Sequence, residues 1–143
     1  EQQYIEIVGI APGCAEAFEG LSILYLQQKD FVHAEESLRH AIKLKPNDVT
    51  FYLDLADMYR VQEDRRRALA ASQQACIVAP NDPKALDAVL DDSIALGDRS
   101  TAEGALAKLV ATNPDNQKLH AFRAAIAALP TKHISSPPKT PEA

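Results

Sequence analysis

Six carboxylates in the sequence fall into pairs whose members lie three or four residues apart. The pairs are Glu16 with Glu19, Asp54 with Asp57, and Asp87 with Asp91. In an α-helix, residues at this spacing share one face, so each pair presents two negative charges together. Such a pair can attract a Lys or Arg side chain or a free amine. The chemistry then depends on whether the elements that carry the pairs hold them on one surface.

Other residues that could do chemistry do not form a recognisable site. His33, Glu36 and His40 have a helical spacing that a metal ion could use, but such triplets usually face solvent. Cys14 and Cys76 are the two cysteines, and they form no CxxC motif. The sequence also lacks a Gly-rich phosphate loop and an HExxH motif. We therefore predict a protein that is not an enzyme and holds no metal ion and no cofactor.

The composition argues against several classes of protein. The 143 residues include 15 Lys and Arg against 20 Asp and Glu, which gives a net charge of −5. An acidic balance disfavours a general nucleic-acid binder or a protein of anionic membrane surfaces. No apolar run approaches the roughly 18 residues that a membrane span needs. The sequence thus predicts a soluble protein without nucleic-acid or membrane partners, and a cytoplasmic location is favoured.

A period of 34 residues organises the chain. Proline recurs at this interval, at Pro12, Pro46, Pro80 and Pro114. Each proline can end a helix, and the Asn and Asp residues that follow it can cap the next one. Apolar residues between the prolines recur at intervals of three and four, which predicts two short antiparallel helices per unit. The three full units are residues 15–48, 49–82 and 83–116.

The residues at fixed places of these units resemble the tetratricopeptide repeat (TPR) family. The first unit supplies Phe18, Leu21, Ser22, Tyr25, Ala34, Leu38, Ala41 and Pro46. The second supplies Tyr52, Leu55, Ala56, Tyr59, Ala68, Ala75 and Pro80. The third supplies Leu86, Val89, Ala102, Leu106 and Pro114. The resemblance implies an all-α, right-handed superhelical solenoid of antiparallel helix pairs.

Four residues depart from the family pattern. Ser72 stands where a bulky residue is expected, and Leu90 stands where a small one is expected. Ser93 takes the place of a tyrosine, and Leu109 the place of an alanine. These departures leave open how the third unit packs onto its neighbours.

The ends of the chain fit parts of a repeat. Residues 1–12 match the second helix of a truncated repeat, and residues 117–129 match a capping helix that completes a domain over 1–129. Residues 130–143 are rich in proline and predict a tail or linker. The apolar residues in 1–12 lack a partner helix, so we expect either further repeats upstream or a contact with another copy or another protein.

The resemblance implies that certain places of the first helices face a concave groove. The candidate partner-binding residues at these places are Glu16, Glu19, Ile23, Asp54, Asp57, Arg60, Asp87 and Asp91. We predict that this acidic groove binds a peptide or partner segment that carries Lys, Arg or a free amine. The alternative is a solvated wall, in which Arg60 pairs with Asp57 and Lys84 with Asp87 as ordinary surface ion pairs.

The predicted function is therefore a scaffold for protein–protein interaction. Capture of a chaperone's terminal carboxylate, a binding mode of the family that the sequence resembles, is not expected. The matching places hold Glu19, Ile23, Asp54, Lys84 and Ala88, of which only Lys84 fits. Two alternatives stay open: self-association into a homo-oligomer through residues 1–12, and a non-catalytic arm that positions substrate for a larger multidomain enzyme.

Overall fold

The computed structural model describes Gly9 and residues 13–131, and residues 13–131 contain seven α-helices and no strand. The helices are α1 (Ala15–Gln27), α2 (Phe31–Leu44), α3 (Val49–Val61), α4 (Arg65–Val78), α5 (Pro83–Leu96), α6 (Arg99–Thr112) and α7 (Leu119–Ala127). Apart from Gly9, the predicted helix at 1–12 lies outside the described residues. The predicted tail lies outside them from residue 132 onward.

The turn inside each repeat is built in the same way three times. Asp30, Asp64 and Asp98 are the N-caps of α2, α4 and α6. Each carboxylate accepts a hydrogen bond at 3.2 Å from the backbone N–H three residues later, which satisfies one of the free donors of the first turn. The residue before each cap has φ between 59° and 71°, and only in the third repeat is it a glycine, Gly97. These turns reverse the chain, so the two helices of a repeat lie antiparallel.

The turns between repeats follow the prolines, as the sequence predicts. The carboxylate of Asp48 accepts a hydrogen bond from the N–H of Thr50 at 3.0 Å at the start of α3. Asp82 caps α5 by accepting from the N–H of Lys84 at 2.8 Å and that of Ala85 at 3.0 Å. The proline ends one helix and the aspartate begins the next.

The first helices of successive repeats lie side by side. Helix α3 contacts α5, and α5 contacts α7. Clefts separate the second helices, α2 from α4 and α4 from α6. The stack therefore curves toward its first helices, which form the concave face. The all-α solenoid of helix pairs predicted from the sequence is confirmed.

Small residues allow the helices of each pair to approach closely. Ala34, Ala68 and Ala102 occupy the same place in successive repeats and are fully buried. The departures Leu90 and Leu109 are fully buried as well, in one apolar cluster with residues of α7. The third repeat thus packs its larger side chains against the final helix.

A buried ion cluster joins α3, α4 and α5. Asp92 of α5 is fully buried, and its carboxylate accepts two hydrogen bonds from Arg60 of α3, both at 2.7 Å. Arg65 donates a third at 3.1 Å, and the hydroxyl of Ser72 lies 3.0 Å from the same carboxylate. The departure of Ser72 from the family pattern thus has a structural reason. Its small side chain binds Asp92, whereas a bulky side chain would occupy the space of that carboxylate.

The cluster makes the position of the third repeat specific. Burying a carboxylate costs several kcal/mol unless partners satisfy both of its oxygens. Here the fork of Arg60, whose side chain is 21% exposed, donates to both oxygens of Asp92, and Arg65 and Ser72 each add one donor. A shift of α5 along α3 would break the two hydrogen bonds from Arg60 to this buried charge. The cluster therefore contributes specificity more than net stability.

We predict that Asp92→Asn lowers the free energy of unfolding by about 3 kcal/mol, because Arg60 loses its charged partner beneath the surface. This expected loss of stability is at the lower end of the range for breaking a buried ion pair, because Arg60 keeps its contact with Asp57. Urea denaturation followed by circular dichroism measures the change. The exposed neighbour provides the control, since Asp91→Asn should change the same free energy by less than about 0.5 kcal/mol. Equal effects of the two substitutions would contradict the prediction.

Candidate functional site

All eight predicted partner-binding residues lie on first helices, and the structure separates them into groups. Glu19 of α1 and Asp54 of α3 form one carboxyl pair. Four others line one cavity on the concave side: Asp57, Arg60, Asp87 and Asp91. Glu16 and Ile23 of α1 do not line that cavity. This arrangement brings half of the predicted set together.

The Glu19–Asp54 pair bridges the first two repeats. Both side chains are half-buried, and the carboxyl of Glu19 lies close enough to that of Asp54 to act on its protonation. Burial, together with the negative charge of Glu19, raises the pKa of Asp54 from 3.8 to about 7. Within the described residues, no Lys or Arg forms an ion pair with either carboxyl.

The cavity between α3, α5 and the start of α7 is electrically balanced. Its volume is about 270 Å³, and Leu53, Lys84, Ala88 and Lys118 complete its lining. Three carboxylates therefore face two lysines and one arginine. Groups of both signs are available to a ligand here, in contrast to the Glu19–Asp54 pair.

Two ion pairs organise the charges of the cavity. Arg60 contacts Asp57 one turn earlier on α3, as the sequence predicts. The predicted pairing of Lys84 with Asp87 is wrong, because the ammonium of Lys118 lies 2.8 Å from Asp87. The turn before α7 carries Lys118 over the cavity and leaves Lys84 without an ion pair among the described residues. This hydrogen bond to Asp87 raises the pKa of Lys118.

The remaining predicted residues have simpler surroundings. Glu16 forms an ion pair with Lys45, whose hydrogen bond lowers the pKa of Glu16. Ile23 is 51% exposed and offers apolar surface on α1, the helix that also carries Glu19. Arg60 directs most of its guanidinium inward to Asp92, so it contributes less positive charge to the concave face than its position in the sequence suggests.

Sequence reasoning missed Asp92 as the buried partner of Arg60 and missed Lys118 as the partner of Asp87. The signal for Asp92 was Ser72, a small polar residue at a place where the family has bulk. Lys118 gave no such signal, because its contact with Asp87 depends on the path of the turn between α6 and α7.

The histidine triplet is used for local contacts. His33 lies 2.6 Å from the carboxylate of Asp30, and the ring of His40 stacks on Phe18 at 5.1 Å. No group of three or more His, Cys, Asp or Glu in the described part of the chain could hold a metal ion. Over the same residues, none of the helices is both long and apolar enough to cross a membrane.

Comparison with solved structures assigns the architecture. The chain is similar to the first TPR of Spaghetti (RPAP3) bound to the HSP90 peptide SRMEEVD, with a TM-score of 0.66 and 16% sequence identity over 80% of this chain and 94% of that one. The chain has the tetratricopeptide-repeat fold. Its TPR solenoid is also similar to MamA, with a TM-score of 0.68 and 18% identity over 88% of this chain and 71% of that one.

A third TPR protein gives the same result. A thermophilic TPR protein of Thermus thermophilus aligns with a TM-score of 0.67 and 20% identity, over 88% of this chain and 71% of that one. No protein-family model and no curated protein matches the sequence. The similarity therefore lies in the fold, as the repeated places in the sequence predict.

We predict that the carboxyl of Asp54 titrates near pH 7, which a carbon-13 NMR titration of the side chain can measure. The folded protein holds this proton more tightly than the unfolded chain does. The pair's contribution to the free energy of unfolding should therefore fall as the pH rises from about 3.8 to about 7.

Asp54→Asn should remove this pH-dependent contribution. The variant should be more stable than the wild type above pH 7, and the two proteins should differ little in stability at pH 4. Asp57→Asn is the matched control, because Asp57 is paired with Arg60 and should give no such gain. A titration midpoint of Asp54 near its ordinary value of 3.8 would contradict the carboxyl pair.

Proposed function

We propose that this protein is an interaction scaffold that binds a basic segment of a partner protein on its concave face. The observation that supports this proposal is the Glu19–Asp54 pair, where two carboxyls lie together without a cation of the chain. The fold is compatible with such a role, since a similar TPR domain, that of RPAP3, is bound to a peptide. Binding of a Lys or Arg side chain would supply the cation that the pair lacks.

Proton exchange gives the proposal a specific chemistry. Below pH 7 the carboxyl of Asp54 keeps its proton, because burial and the nearby charge of Glu19 raise its pKa to about 7. A ligand ammonium that enters between the two groups replaces this proton. Affinity for a basic ligand should therefore fall as the pH drops below 7, since the ligand then competes with the proton.

The sign of the charge selects the ligand, while apolar contacts supply much of the affinity. The peptide bound to RPAP3 contains the acidic run EEVD, but in this chain Glu19, Asp54 and Asp57 would repel such a run. Exposed ion pairs contribute about 0–1 kcal/mol each and mainly speed and orient association. Ile23 and Val61, which are 51% and 66% exposed, offer apolar surface on the first helices. We expect micromolar binding, about −8 kcal/mol.

The two alternative functions stay predictions. Self-association would use residues 1–12, which lie outside the described part of the chain apart from Gly9, and light scattering over a range of concentrations would detect it. A role as the substrate-positioning arm of a larger enzyme depends on domains beyond this sequence.

We predict that Asp54→Lys combined with Asp57→Lys abolishes binding of a Lys- and Leu-containing peptide, because it replaces the attracting charges by repelling ones. Isothermal titration calorimetry of wild type and variant measures the loss. The same peptide with Glu in place of Lys should not bind this site in the wild type. Binding of the basic peptide should also weaken as salt is added.

A control with the same change in net charge separates location from total charge. Glu36→Lys combined with Asp115→Lys reverses two exposed carboxylates away from the concave residues and should leave the affinity nearly unchanged. The milder Asp54→Asn should weaken binding and remove its dependence on pH near 7. Retained affinity in the Asp54→Lys, Asp57→Lys protein would reject the proposal.

A further inference from the structure

The convex side of the solenoid contains two clefts that are related by the repeat. The first cleft lies between α2 and α4 and has a volume of about 430 Å³. The second lies between α4 and α6 and has a volume of about 500 Å³. The same places of successive repeats line both, so Ala70 in the first corresponds to Gly104 in the second, and Gln74 to Lys108. The chain therefore contains a matched pair of sites whose chemistry can be compared directly.

The first cleft is occupied by charged groups that satisfy one another. At its base the hydroxyl of Tyr59 donates to Glu35 at 2.8 Å, and Arg39 donates to the same carboxylate at 2.7 Å. The guanidinium of Arg67 lies 5.8 Å from the centre of the Tyr59 ring. The first cleft thus accommodates an aromatic ring with a carboxylate at its polar end. Tyr59 supplies the ring and Glu35 supplies the carboxylate.

The second cleft lacks all of these groups. Ser93 takes the place of Tyr59, and its hydroxyl is bonded to Val89 of its own helix at 2.6 Å. Leu69, Gln73 and Thr101 take the places of Glu35, Arg39 and Arg67. The lining is apolar over Ile77, Leu86, Val89 and Ala105, and Ile77 is 70% exposed.

A single charge remains on the wall of the second cleft. Lys108 is the one charged residue that lines it, and Lys108 forms no ion pair among the described residues. No carboxylate of the described residues lines the cleft, although the chain as a whole has a net charge of −5. The cleft therefore combines apolar surface with a positive charge, which is opposite in sign to the uncompensated carboxyls of the concave face.

We propose that the cleft between α4 and α6 is a second docking site, which accepts an acidic segment of a partner protein through one aromatic side chain. The ring would contact Val89, Ala105 and Ile77, and a carboxylate beside it would pair with Lys108. In the first cleft, Tyr59 supplies the aromatic ring and Glu35 supplies the carboxylate. In the second cleft, the ligand would supply both groups. This site is independent of the concave face and takes a ligand of the opposite charge.

Gly104 allows a test that does not disturb the fold. A Cβ at this position would meet no atom within 4 Å, and φ is not positive there, so a larger residue fits the helix. Gly104→Leu therefore fills the cleft, and it should raise the melting temperature because leucine favours helix over glycine. Ala107→Leu is the matched control, since Ala107 is an exposed residue of α6 that does not line the cleft.

The probe is the fluorescent peptide EELFEEL, and its binding to the full chain is measured by fluorescence anisotropy. We expect Gly104→Leu to weaken binding at least about tenfold, because the ring loses its place. Lys108→Glu should also weaken binding of this peptide. Ala107→Leu should bind EELFEEL as the wild type does.

Cys76 supplies a second readout, because its half-buried thiol lines the cleft. In a Cys14→Ser background, saturating EELFEEL should slow the reaction of Cys76 with a thiol reagent at mildly alkaline pH. Asp54→Asn, which weakens the concave site without adding positive charge, should not change binding of this peptide to the cleft, which separates the two sites. Unchanged affinity in Gly104→Leu, absence of protection at Cys76, or absence of binding to the wild type would each overturn the proposal.

Discussion

The structure depends most on the two-pronged ion pair between Arg60 and Asp92. A fully buried carboxylate is tolerated only where donors meet both of its oxygens, and Arg60 meets both at 2.7 Å. This requirement sets the position of α5 against α3 and α4. Because α5 carries Asp87 and Asp91 and contacts α7, the same ion pair also determines where half of the concave face lies.

The ion pair also divides the charges of the concave face. Arg60 uses most of its hydrogen-bonding capacity below the surface, and only one of its nitrogens contacts Asp57. Negative charge is therefore least compensated where α1 meets α3, at Glu19 and Asp54, and is balanced by lysines where α5 meets α7. On the convex side the sign reverses at Lys108. The two proposed ligands accordingly have opposite charges and bind opposite faces of the solenoid.

The fold could be predicted from the sequence because each part of it rests on local chemistry that repeats. Pro46 and Pro80 end helices, Asp48 and Asp82 begin the next ones, and small residues such as Ala68 mark the close contacts. The charged contacts could be predicted only in part. The Arg60–Asp57 contact is local to one helix and was found, whereas Arg60–Asp92 spans 32 residues and Lys118–Asp87 spans 31. Contacts at that range depend on how repeats stack, which periodicity alone does not specify.

A double-mutant cycle of Arg60→Met and Asp92→Leu measures how strongly this ion pair couples α3 to α5. Arg60→Met removes two donors from the buried carboxylate of Asp92, and Asp92→Leu removes the buried partner of Arg60, whereas the double variant replaces the pair by apolar side chains of similar size. We expect a coupling free energy of unfolding of at least about 2 kcal/mol, with the double variant nearly as stable as the wild type. Additive losses, with coupling below about 0.5 kcal/mol, would show that the pair does not hold the repeats together.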